Sequence, residues 1–387
     1  MRSCNLARQK LNRNEKCFCG SETKYKKCCM NKMTLSLCMI VKNESTNLDN
    51  CLKSVCTFVD EIIIVDTGSA DNTVEIAKKY TNKIYDFKWI DDFSAARNFS
   101  LDQASSDWIL VLDADECLAE RDIKFIKNEL IYESDDAFEL VKRSYANDPN
   151  IGKFQTNDNS YPEGNGWLGW QNEPNDLLFR NDARIFYEDR IHETVRKSIL
   201  RSGLKIRKTE IPIHHYGRHD MTKKADHYIE LVKERYKTNP NDLDNLFTLG
   251  SHLDWEGRIE EAHDVFLKCE KMDDVRAYYA LGLTSMKLQK FADAKRYYLK
   301  AIEKDPLAYD IAFKDLMTVY FIEGNYNAAF DIYKQGLDIN PRNIMLQYSL
   351  ANIYYKMGYS YVARSELQRI VKEYPHYREA SELLSQI

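Results

Sequence analysis

The 387-residue sequence predicts an α/β domain followed by an all-α repeat domain, with a short cysteine-rich segment in front. Three observations carry this. Leu35–Val41 (LSLCMIV), Glu61–Val65 (EIIIV) and Trp108–Leu112 (WILVL) are short continuous apolar runs, as expected of strands buried on both faces of a largely parallel sheet. After about residue 225, Ala262, Ala294, Ala329 and Ala363 recur at spacings of 32, 35 and 34, and Pro306, Pro341 and Pro375 at 35 and 34. Finally, Cys17, Cys19, Cys28 and Cys29 crowd into thirteen residues.

Between the apolar runs, Leu48–Phe58, Asp71–Tyr80 and Phe93–Ala104 read as helices, which gives βαβαβ order. Asn147–Asn175, rich in Asn, Gly and Pro, reads as a long surface loop anchored by Trp167 and Trp170. The resulting boundaries are 1–32 for the cysteine segment, 33–225 for the α/β domain and 226–387 for the repeats. Hydrophobic residues make up 44% and charged residues 30%, with a net charge of −5. That balance is ordinary for a globular chain and points to neither nucleic acid nor a membrane surface. No stretch approaches the roughly 20 apolar residues that span a bilayer. Met1–Lys16 lacks the apolar segment of a secretory signal, so the expected location is the cytoplasm.

In a reducing compartment, four clustered cysteines favour metal binding over disulfides. Cys17-Phe-Cys19, eight residues, then Cys28-Cys29 suit tetrahedral zinc, with Gly20 at the turn. Arg13-Asn14 followed by CFCGSETKYKKCC resembles the SEC-C motif, with Phe18 and Glu22 departing from its usual spelling at non-ligand positions. The resemblance implies a closed structural Zn²⁺ on Cys17, Cys19, Cys28 and Cys29 and a structural or partner-binding role. Lys24, Lys26 and Lys27 read as a solvated basic face.

The central candidate is Asp113-Ala114-Asp115, emerging directly after the apolar run Trp108–Leu112. Ligands of open α/β sheets bind beyond the carboxyl ends of strands, and paired carboxylates there can share a hard cation. The bland alternative is capping of a helix near Glu120. Three further segments lift the first reading: Ile40-Val41-Lys42-Asn43-Glu44, Asp66-Thr-Gly-Ser-Ala-Asp71, and Asp92-Phe-Ser-Ala-Ala-Arg97-Asn98. In this order and spacing they resemble the signatures of family 2 glycosyltransferases. The resemblance implies a GT-A fold and a UDP-sugar donor. It places Val41, Asn43, Glu44 and Asp66 around the nucleotide, Asp71 in support, and Asp113 and Arg97 near the diphosphate. It also implies Mg²⁺ or Mn²⁺ on Asp115 and Asp113.

Downstream, Arg190-Ile191-His192-Glu193 resembles the family's acceptor-side element, implying Glu193, with His192 beside it, as catalytic. His214-His215-Tyr216-Gly217 resembles a later segment in which His215 approaches the metal. A buried, hydrogen-bonded histidine is the competing reading. The C-terminal periodicity resembles tetratricopeptide repeats. Catalytic domain and repeats together resemble bacterial peptide S- and O-glycosyltransferases, which implies an inverting transfer to a Cys, Ser or Thr side chain of a peptide or protein and a homodimer formed through the repeats. A cell-envelope glycan or lipid acceptor is the first alternative, and a non-catalytic scaffold the second. A sugar-nucleotide pyrophosphorylase is disfavoured because Met39–Ser45 lacks a glycine-rich phosphate loop.

Overall fold

A computed structural model of the chain describes residues 32–149, 154–190, 193–217, 236, 242–307 and 309–387, with backbone alone at 174–177. The four cysteines of the SEC-C resemblance and His192 lie outside the described residues. The described residues form two compact units: one from those up to Ser144 together with those of Asn172–Gly217, the other from those of Tyr145–Gln171 together with those after Gly217. Among the described residues no helix is long and apolar enough to cross a membrane.

The first unit is built on β1 (Leu35–Val41), α1 (Leu48–Val55), β2 (Glu61–Asp66), α2 (Thr73–Ala77), β3 (Ile84–Asp86), α3 (Phe93–Asp102), β4 (Trp108–Val111), β5 (Glu116–Cys117), α4 (Glu120–Asn128), β6 (Ala137–Ala146), β8 (Gly169–Arg180), α5 (Arg196–Arg201) and β9 (Ile206–His215). A short β7 (Phe154–Thr156) belongs to the second unit. The strand order is β3-β2-β1-β4-β8-β6-β9-β5. β1 runs parallel to β2 and β4, which explains the unbroken apolar runs: Leu35, Leu37, Cys38, Met39, Ile63, Ile64, Val65 and Trp108–Leu110 are fully buried. Trp108 stacks on Phe138 at 5.4 Å and extends this core under β6.

Register sets the site. Val41 pairs with Asp66, so the ends of β1 and β2 are level. On the other half, Ser144 of β6 pairs with His215 of β9, and His215 pairs with Glu116 of β5. Three polar residues from three strands are thereby brought side by side just beyond the end of β4. At the opposite, amino ends of the parallel strands lies a cleft of about 680 Å³ lined in part by Asp60, Glu61, Lys83 and Asp107. Its carboxylates are all committed: Glu61 accepts from Ser36 Oγ and Lys83, Asp60 from Lys127, and Asp107 from Thr34.

In the second unit, helix pairs follow the predicted period: α6 (Leu243–Trp255) with α7 (Ile259–Lys271), α8 (Arg276–Lys287) with α9 (Phe291–Lys304), α10 (Ile311–Ile322) with α11 (Tyr326–Ile339), and α12 (Ile344–Lys356) with α13 (Ser360–Glu373), then α14 (Arg378–Gln386). The recurring alanines 262, 294, 329 and 363 are all buried. Close packing also demands glycine in the first helix of a pair. A Cβ on Gly282 would lie 2.5 Å from the ring of Tyr298, which is itself buried. Helix propensity alone favours Gly282→Ala by about 1 kcal/mol. Overpacking against a fixed ring costs roughly 1–3 kcal/mol, and more as the clash hardens. The expected net result is a destabilised repeat domain, read as a lower urea midpoint of the full chain. A raised midpoint would show that propensity dominates.

The stretch expected to be a surface loop is instead largely structured. β7 pairs antiparallel with the start of β8, and Phe154 and Leu168 are buried in one cluster with Ile311, Ile344, Met345 and Tyr377. Thr156 Oγ1 donates to the Arg342 carbonyl at 2.7 Å. Trp167 and Trp170 pack on Tyr145 with ring centres at 6.1 and 6.3 Å, and Trp170 is buried. Polar composition suggested a loop, but two apolar anchors meeting the repeat helices decide its conformation.

Candidate active site

At the ends of β1 and β2 the chain is tied loop to loop. Asp66, buried, accepts from Gly68 N at 3.1 Å, Ser69 N at 3.0 Å and Ser69 Oγ at 2.5 Å. Asn43, at φ 57°, donates its amide to Ser69 Oγ and accepts from Ala70 N at 2.7 Å. Glu44 N donates to Thr73 Oγ1, and Ser45 N donates to Asp71. The Thr73 hydroxyl and the Ser45 side hold the Asp71 carboxyl well below the usual carboxylate range. Val41's carbonyl accepts from Thr67 N and Oγ1. This corner is therefore a preformed rim.

Beyond β4, Asp113 and Asp115 point to different partners. Asp113 Oδ1 accepts from Arg97 Nη2 at 2.7 Å, and its Oδ2 lies 4.0 Å from Lys142 Nζ. Burial pushes the Asp113 carboxyl up, but Arg97 and Lys142 outweigh it and hold it at about 2. Asp115 Oδ2 lies 3.3 Å from His215 Nε2, whose Nδ1 meets Ser144 Oγ at 2.9 Å. Burial lowers the His215 imidazole's affinity for a proton, but the hydrogen bond and the charge of Asp115, with Glu116 nearby, together outweigh it and raise the pKa above the ordinary value. Gly217 lies against this pair: a Cβ there would sit 2.0 Å from Asp115 Oδ2 and 2.6 Å from His215 Nε2.

Arg97 is the hub. Its Nε donates to Glu193 Oε1 at 3.2 Å while Nη2 holds Asp113, so one guanidinium joins two carboxylates. It is buried, 5.9 Å above the Tyr187 ring, and its Nη1 has no hydrogen-bond partner among the described residues. Burial opposes its charge, but Asp113 and Glu193 overcome this and raise its pKa above the ordinary value. Glu193 immediately precedes Thr194, which exchanges backbone hydrogen bonds with Glu188 at 3.0 and 3.1 Å across an isolated antiparallel bridge.

The structure brings together Arg97, Asp113, Asp115, Glu193 and His215 from segments far apart in sequence. Glu116, Lys142, Ser144 and Tyr187 join them without having been singled out. Glu116 is buried, accepts from Asp113 N at 2.8 Å and pairs with Lys142 Nζ at 2.7 Å. Burial and the neighbouring Asp113 raise its pKa. The available signal was period two: Lys142 and Ser144 are two apart on β6 and share one face. Among the described residues no group of three or more His, Cys, Asp or Glu could hold a metal ion.

Residues 36–194 match the model for glycosyl transferase family 2, residues 13–31 the SEC-C motif, 275–308 the tetratricopeptide repeat and 318–358 the TPR repeat. A TPR repeat-containing protein of Synechococcus elongatus is 55% identical over 82 residues, 21% of this chain and 20% of that protein. The SPbeta prophage-derived glycosyltransferase SunS of Bacillus subtilis is 25% identical over 264 residues, 63% of this chain and 56% of that protein. An uncharacterized glycosyltransferase of Rickettsia conorii is 36% identical over 98 residues, 25% of this chain and 33% of that protein. The chain thus spans less than two thirds of the length of each of these relatives. With the mixed sheet and the helical repeats described above, these matches establish that the chain contains a family 2 glycosyltransferase domain, preceded by a SEC-C motif and followed by tetratricopeptide repeats.

Proposed function

We propose that this protein is an inverting glycosyltransferase that moves a sugar from a UDP-sugar to a polypeptide side chain. The observation that carries the reading is Arg97, whose guanidinium ties Asp113, beyond the strand end, to Glu193 on the acceptor-side hairpin. Val41, Asn43, Glu44 and Asp66 form the rim assigned to the nucleotide. Arg97 Nη1 is a donor left for a ligand oxygen. Asp115 and His215 are the residues that would hold Mg²⁺ or Mn²⁺, with the cradle at Gly217 giving room beside them. One carboxylate and one imidazole form an open set, which suits a cation whose other ligands are phosphate oxygens and water. Bound there, it would neutralise charge on the departing diphosphate. Asp113, already paired with Arg97, serves to orient that guanidinium. The acceptor atom attacks the anomeric carbon as the bond to the diphosphate oxygen breaks, and UDP leaves with the electron pair. A hydroxyl acceptor gives its proton to Glu193, whereas a thiol near pKa 8.5 ionises more readily.

The fused repeats support a macromolecular acceptor, since their surfaces suit extended chains, and they are also the surface assigned to self-association. Zinc on Cys17, Cys19, Cys28 and Cys29 is the reading supported by the matched SEC-C motif. The test is UDP release from a panel of UDP-sugars with Mn²⁺, followed by intact-mass analysis with candidate peptides. A hexose-sized gain that falls about a hundredfold or more in Glu193→Gln is expected, a hundredfold being the lower end of what a general base contributes. Transfer only to a lipid or oligosaccharide would overturn the acceptor, and full activity of Glu193→Gln would remove Glu193 from the chemistry.

A further inference from the structure

Within Asp92–Asn98, the side chains of Ser94 and Asn98 and the backbone amide of Phe93 all bond to the backbone of the segment that leads to Glu193. Asp92 Oδ1 caps α3 by accepting from Ala95 N at 2.9 Å. Phe93 N donates to the Arg190 carbonyl at 3.1 Å, and Ser94 Oγ donates to the Asp189 carbonyl. Asn98 makes the closest match: its Nδ2 donates to the Tyr187 carbonyl at 2.9 Å while its Oδ1 accepts from Tyr187 N at 2.7 Å. The side-chain amide thus imitates a neighbouring strand and satisfies both backbone groups of one residue. Arg97, the adjacent residue, then reaches Glu193 itself.

We propose that Asn98 is a positioning residue that fixes the hairpin carrying Glu193 in register with Arg97, so that α3 sets the acceptor side of the site. This rests on the reading of Glu193 as the acceptor-side carboxylate. Both polar atoms of the Asn98 side chain are engaged by Tyr187. An alanine leaves the Tyr187 N–H and carbonyl without their partner and releases one wall of the hairpin. Because reacting groups misplaced by about 1 Å lose on the order of a hundredfold in rate, Asn98→Ala should act on transfer and not on donor binding.

The experiment uses the full chain. Hydrogen exchange of the amides around Tyr187, Glu188 and Thr194 should accelerate about tenfold or more in Asn98→Ala, with β1 and β4 unchanged. Calorimetric affinity for UDP with Mn²⁺ should stay within about twofold. Transfer from UDP-glucose to a synthetic peptide carrying one cysteine and one serine should fall about ten- to hundredfold. In a Glu193→Gln background the same substitution should cost nothing further. Asn98→Asp, which retains the acceptor for Tyr187 N alone, should fall between the two and serves if the alanine variant fails to fold. Unchanged exchange at the hairpin, or equal loss of UDP affinity and transfer, would overturn the proposal. If Glu193→Gln is fully active or no peptide is modified, the functional reading falls while the exchange measurement still decides the clamp.

Discussion

Asp115→Asn should abolish sugar transfer, by roughly a thousandfold or more, the upper range for removing one charge-stabilising group, while leaving the fold intact. The residue's structural ties are few. Its backbone carbonyl accepts from Tyr216 N, which asparagine preserves, and its side chain is 25% exposed beside His215. Nothing in the apolar core leans on the carboxylate, so a stability change within about 1 kcal/mol is expected. What asparagine lacks is the charge opposite His215 Nε2. Ser144 at Nδ1 fixes the imidazole, so the second nitrogen faces a neutral amide instead of an anion. Calorimetry with Mn²⁺ should show binding lost in the variant, together with turnover. Wild-type Mn²⁺ affinity and turnover would remove Asp115 from the cation site. Lost turnover with affinity retained would give it a role toward the donor alone. Asp113→Asn should differ. Its partner is Arg97 and its charge is held against that guanidinium, so its loss disturbs the link to Glu193 before it disturbs any cation.

How much of this was legible in the sequence depends on the range of the interaction. The strands of the parallel half were readable because burial on both faces leaves a local mark, an unbroken apolar run such as WILVL. The position of Asp113 at a strand end followed from the same run. The partner of Asp113 was not readable. Arg97 is sixteen residues away, and Glu193, its second partner, lies ninety-six residues beyond Arg97, so only the folded sheet brings them together. Lys142 looks like any lysine of a half-exposed strand, and its value comes from Glu116 on a strand not its neighbour in sequence. The stretch Asn147–Asn175 misled for a related reason. Its Asn, Gly and Pro content is genuine turn chemistry around Pro162–Gly164, but Phe154 and Leu168 stand fourteen residues apart with no strand or helix period to link them. Their partners, Ile311 and Ile344, lie well over a hundred residues later, and no local window contains both sides.

Gly217→Ala should separate the presence of the two candidate ligands from their arrangement. The substitution adds one methyl group and removes no polar atom. That methyl would stand 2.0 Å from Asp115 Oδ2 and 2.6 Å from His215 Nε2, closer than any ordinary contact allows. Relief comes most cheaply from the end of a side chain, so the Asp115 carboxylate turns away and the 3.3 Å approach to His215 opens. Stability should therefore drop only modestly, by about 1–3 kcal/mol as for other overpacked sites. Mn²⁺ affinity should fall about ten- to hundredfold, the range seen when ligand orientation is disturbed with the ligands retained. Because both ligand atoms remain, raising the Mn²⁺ concentration should restore part of the transfer rate in Gly217→Ala and none in Asp115→Asn. A Gly217→Ala variant with wild-type Mn²⁺ affinity and wild-type turnover would show that Asp115 and His215 do not act as one cation site. Restoration of both variants by Mn²⁺ would mean that the cation is held elsewhere along the diphosphate, with Asp115 contributing only at a distance.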